Sequence, residues 1–109
     1  MASNQTTVDY ITDHMQGAGV VRAQKMFGEY GVYCDEKVIG FICDDQLFLK
    51  ITDPGRAMIR SDKVGPPYPG AKDYFIVSHD DCGDAEYLSA LVRTTADALP
   101  LLKKKPKKK

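Results

Sequence analysis

The chain has 109 residues, 43% of them hydrophobic, and its 15 Lys and Arg balance 15 Asp and Glu. That length gives one domain with one modest core, and no apolar run approaches the roughly 18 residues needed to span a bilayer. The start Met1–Thr7 has neither a basic flank nor an apolar stretch, and three cysteines are too few for a secreted disulfide scaffold. A cytoplasmic protein with reduced thiols is expected. The charges are segregated: residues 1–102 carry nine Lys and Arg against all fifteen acids, a net −6, and the other six lysines lie beyond them.

Residues 1–6 are polar and read as a disordered N-terminus, and residues 7–100 as the folded domain. From Thr7, Val8, Ile11, Met15 and Ala18 recur at helical spacing, with Thr6 or Thr7 as cap and Gly17 and Gly19 as the stop. Strand-like segments follow at Val21–Phe27, Tyr30–Asp35, Val38–Cys43 and Gln46–Thr52. Their hairpin turns are expected at Asp35-Glu36-Lys37 and Asp44-Asp45. In the last strand Leu47, Leu49 and Ile51 share one face, and Phe48 and Lys50 the other. Asp53-Pro54 opens a short helix to about Ser61, with Asp53 as cap. Gly65–Gly70, with three prolines, is neither helix nor central strand. A brief strand, Asp73–Ser78, precedes a final helix capped by Asp81 or Asp84, carrying Leu88, Leu91, Val92, Thr95 and Leu99, and ended by Pro100. The fold class is α+β: one antiparallel meander packed by helices on one side, in the order α, three or four β, α, one or two β, α.

His79, Cys82, Cys34 and Cys43 form the most tempting metal set. A hairpin between Cys34 and Cys43 separates the two sulfurs by roughly 10 Å along the strands, so no metal is expected. Cys82, at a strand-to-helix junction, is a candidate reactive thiol, although Asp80, Asp81, Asp84 and Glu86 disfavour its thiolate. Asp44-Asp45 and Asp80-Asp81 lack the regular ligand spacing of a calcium loop and read as solvated turns. Gly28-Glu29-Tyr30-Gly31 has the form of a GXXG nucleic-acid loop, but it sits among strands and is acidic, so it reads as a turn or strand kink. With no nucleophile–base pair and no phosphate loop, neither catalytic residues nor a cofactor are expected.

Two surface features remain. The Pro66, Pro67, Tyr68 and Pro69 loop is a candidate partner-docking edge, since prolines reduce the entropy lost on ordering. Lys103, Lys104, Lys105, Lys107, Lys108 and Lys109, within the tail 101–109, repel one another and stay extended, available to nucleic acid or other polyanions.

Met26-Phe27-Gly28-Glu29-Tyr30-Gly31, followed by hairpins ending in Leu47-Phe48-Leu49-Lys50, resembles the N-terminal domain of the TfoX/Sxy competence-regulator family. The resemblance covers roughly residues 7–99. It implies a bacterial α+β domain that is not an enzyme and that works in transcription regulation, where the family acts with the cyclic-AMP receptor protein. Longer members add a helical second domain; here a lysine tail follows Pro100, so the fold and the non-enzymatic class carry over, and the process does not. Met26, Phe27, Gly28, Tyr30, Gly31, Leu49 and Lys50 match as fold determinants. The expectation is a binding domain that contacts protein, with a tail that attracts nucleic acid non-specifically, as monomer or homodimer. The alternative is a small-molecule-binding or redox-responsive domain with Cys82 or Cys43 as sensor and no nucleic-acid role.

Overall fold

The computed structural model describes residues 4–26, 29–60 and 63–99. Helix α1 (Gln5–Asp13) opens two residues before the expected Thr7. Neither threonine caps it. Asn4 holds the N-cap position, its N–H donating to Asp45 Oδ1 at 2.7 Å and its carbonyl accepting from Val8 N–H. The helix ends at Asp13, and a 3-10 turn over Gln16–Ala18 carries the buried stripe onward through Met15 and Ala18.

Strands β1 (Val21–Met26), β2 (Glu29–Cys34), β3 (Lys37–Cys43) and β4 (Gln46–Leu49) form the expected meander. Asp35-Glu36 and Asp44-Asp45 turn its last two hairpins with φ of 52°, 70°, 53° and 61°, the left-handed backbone that a two-residue hairpin turn demands. Val32 pairs with Gly40 and Tyr33 with Val38, which leaves Ile39 as a bulge residue, fully buried. Beyond β4 the sheet continues with β6 (Tyr74–Val77) and then β5 (Val64–Gly65) at the far edge. All six strands are antiparallel to their neighbours. The Pro-rich stretch is therefore absent from the sheet interior, and only its first residue, Gly65, joins the edge.

Helix α2 (Asp53–Met58) is capped one residue earlier than expected: Thr52 Oγ1 accepts from Gly55 N–H at 3.0 Å, and Asp53 lies in the first turn beside Pro54. The helix stops at Met58 rather than Ser61. Ser78 caps the short α3 (His79–Cys82), and Asp84 caps α4 (Ala85–Ala98) by accepting from Tyr87 N–H at 3.2 Å. Pro100, read as the stop of α4, lies outside the described residues.

All four helices cover one sheet face. There Val32, Cys34, Ile42, Leu47, Leu49, Phe75 and Val77 meet Ile11, Met15, Leu88, Leu91, Val92 and Ala96. Each such aliphatic side chain contributes roughly 1.5–3 kcal/mol on burial. Arg93 of α4 ties the layers together: Nη1 donates to Ala18 O and to Asp35 Oδ2, each at 2.8 Å, and Nη2 reaches Asp97. Lys37 Nζ donates to Ala96 O at 2.7 Å, a cation at the negative end of α4. No helix among the described residues is long and apolar enough to cross a membrane.

Candidate functional site

Among the described residues, the second sheet face carries no helix. Cross-strand register places Gln24, Gly31, Phe41, Phe48 and Ile76 in one row across it. Phe41, Phe48 and Ile76 are half-buried, as are Tyr33 and Val38 on the same face. The loop after β5 packs against this row. Its Pro67 is buried, and Tyr68 sets its ring edge-on to Phe41 at 5.9 Å, beside Tyr74 at 5.7 Å from the same ring. Tyr68 remains 45% exposed, and Pro66 and Pro69 are exposed. The loop singled out in the sequence is thus folded back on the sheet, and its aromatic side chain extends an apolar surface. At the opposite edge Arg22 lies over the Tyr33 ring at 4.3 Å.

Sequence reasoning found Tyr68 but missed its neighbours on this face. The outward position of Phe48 was legible from alternation in β4. Its partnership with Phe41 and Ile76 depends on register.

The cysteines are dispersed and all three are buried and free. Burial pushes the Cys82 thiol up to about 12, with Asp81 adding to it, and Cys43 up to about 11. Burial therefore keeps Cys82 in the thiol form at pH 7. Cys34 Sγ faces Ala18 O at 3.6 Å, and burial raises its pKa too. His79 Nε2 is engaged with Asp45 O at 2.9 Å, and His14 Nδ1 with Tyr10 O at 2.7 Å. Among the described residues no three His, Cys, Asp or Glu side chains converge on a metal position. Two of the acids near Cys82 have a partner in Arg60, which reaches Asp81 at 3.5 Å and Asp84 at 3.0 Å while lying over the Tyr87 ring. Glu29, Tyr30 and Gly31 of the GXXG stretch belong to β2, and Tyr30 Oη donates to Gln5 Oε1 at 3.1 Å.

A pocket of about 260 Å³ opens where the chain leaves β4 and enters β6, beside the end of α4. Lys50, Ile51, Lys72, Asp73, Tyr74 and Leu99 line it. The Lys50 N–H donates to Ile39 O at 2.8 Å. The Lys50 side chain lines the pocket. The six tail lysines, Lys103 to Lys109, lie outside the described residues.

Residues 13–99 match the family described as the TfoX N-terminal domain. The chain is also 44% identical over 100 residues to an uncharacterized 12.7 kDa protein in the trpE 5′ region of Spirochaeta aurantia, a match covering 92% of this chain and 86% of that relative.

Proposed function

The chain belongs to the TfoX N-terminal domain family, and from that membership we propose that it is a non-enzymatic regulatory domain of the cytoplasm that acts in transcription by contacting protein. The observation that carries the reading is the sheet face without a helix among the described residues, where Phe41, Phe48 and Ile76 lie half-buried and the loop after β5 sets an exposed Tyr68 against Phe41. Aromatic side chains on a rigid surface lose little entropy on docking and supply large contact area. The lysine tail adds attraction to nucleic acid that raises encounter rate without specificity. An acidic body of net −6 makes the folded part a poor phosphate binder by itself, so the two roles are divided between body and tail.

The full chain is tested for binding to purified RNA polymerase, with and without the cyclic-AMP receptor protein. Saturable binding that Tyr68→Ala weakens at least fivefold is expected. No binding to either would remove the transcription role. The tail is tested separately by titrating duplex DNA across a salt series. Six lysines on phosphates give a log–log slope near −5, from about −0.9 per contact, and replacing all six with glutamine flattens it. A small-molecule-binding role has one physical support, the pocket at Lys50; the thiol-sensor version has none while the three thiols are buried.

A further inference from the structure

We propose that the pocket at the β4–β6 end of the sheet binds a small amphiphilic carboxylate, with its anionic head between Lys50 and Lys72 and its apolar body against Ile51 and Leu99.

Three cationic side chains among the described residues are half-buried: Lys37, Lys50 and Arg93. Lys37 donates to the Ala96 carbonyl, and Arg93 is held by Asp35 and Asp97. Lys50 has no such acceptor among the described residues. Lys50 lines the pocket together with Lys72, its charged neighbour, and desolvation followed by that like charge lowers its pKa. A half-buried cation next to a second cation is stabilised by an anion placed between them, which offsets both the desolvation and the repulsion. Asp73 lines the same pocket, yet it makes no ion pair with either lysine. Its charge disfavours a dianion more than a monoanion.

The remaining walls choose the ligand body. Ile51 and Leu99 are partly buried hydrophobics packed against the core, and Tyr74 is 8% exposed. A bare inorganic anion leaves that apolar wall wet, whereas a short alkyl or aryl chain covers it. The pocket volume of about 260 Å³ lies below the roughly 300 Å³ at which drug-sized sites begin, so a head group with a short chain fits and a nucleotide does not. The pocket and the aromatic surface meet at Tyr74, which lines the one and packs on Phe41 in the other, but Lys50 and Lys72 lie outside the aromatic row, so Lys50→Met and Tyr68→Ala test the two assignments independently.

The test uses the full isotope-labelled chain and follows its backbone and lysine side-chain NMR signals while sodium hexanoate, or inorganic phosphate, is titrated in. Hexanoate is expected to shift Lys50, Ile51, Lys72 and Tyr74 along one saturable curve, with phosphate at least fivefold weaker at the same residues. Lys50→Met should weaken hexanoate at least tenfold, and Lys72→Gln, at an exposed position, should weaken it severalfold even if the first variant folds poorly. Equal affinity for phosphate would overturn the amphiphilic assignment. Shifts that do not saturate, that fall only on the tail lysines, or that survive both substitutions would overturn the site.

Discussion

Cys82 shows how burial outweighs position. A thiol near a helix N-terminus is a candidate nucleophile in sequence, but this one is 1% exposed and its pKa is raised to about 12. The folded chain should therefore resist iodoacetamide at pH 7.5 at all three cysteines and react fully in denaturant; one fast-reacting thiol in the native state would restore the sensor reading. The same shift predicts alkaline sensitivity. The native state keeps the Cys82 proton up to about pH 12 and the unfolded thiol loses it near 9, so this contribution is complete below pH 9 and declines as pH rises to 12. The loss between pH 8 and 10 is roughly 1.4 kcal/mol, and Cys82→Ala should remove it from the difference between urea midpoints at those two pH values. Glu36, at φ 70°, lies in a left-handed conformation with a long side chain whose contact to Arg22 is a 3.4 Å surface pair. Glu36→Gly should raise stability by up to about 1 kcal/mol, read as a Tm gain of several degrees, because relief of the backbone penalty exceeds the loss of an exposed ion pair.

At the scale of elements, the β3–β4 pairing rests on close approach at Gly40. A Cβ there would stand 2.0 Å from the Phe48 carbonyl oxygen and 3.0 Å from Leu49 Cα, and both are β4 backbone that cannot swing aside as a flexible side chain would. Gly40→Ala should cost at least about 3 kcal/mol or prevent folding, with loss of the cooperative thermal transition as the readout. Leu91→Ala, a fully buried position on α4, should cost about 2–5 kcal/mol in chemical denaturation. Helices α1, α2 and α4 and the hairpins were legible because their signals are local: a 3.6 period in α4, period-2 runs, a cap followed by proline in α2, and acid-rich turns; the four-residue α3 is too short to show a period and was not expected. The bulge at Ile39 was not legible, since it lies in the cross-strand register between β2 and β3, which no local period encodes. The cap of α2 was misread by one residue because Thr52 and Asp53 are both good caps, and only the backbone path shows which side chain meets Gly55 N–H.

Across the whole molecule, acidic turn and cap residues are drawn into long-range ties. Asp35 binds Val20 N–H and Arg93, Asp45 binds Asn4 N–H, and Asp84 binds Tyr87 N–H and Arg60. Backbone and arginine hydrogen bonds hold the Asp35 and Asp84 carboxyls below their ordinary value. Their contribution is therefore complete above about pH 4 and is lost as pH falls through the depressed folded values; Asp35→Asn should flatten the fall in the urea midpoint below pH 4. By itself the sequence determined the α+β class, the meander, the hairpin turns, the buried stripes and the separation of acidic body from basic tail. All of these follow from local period, turn chemistry and charge count. Only the tertiary structure decided that the proline loop folds back beside Phe41, that an aromatic row lies open on the helix-free face, and that Lys50 and Lys72 share a pocket. The pairing of β4 with β6 and the return of the loop join residues more than twenty positions apart, and no local period encodes such contacts.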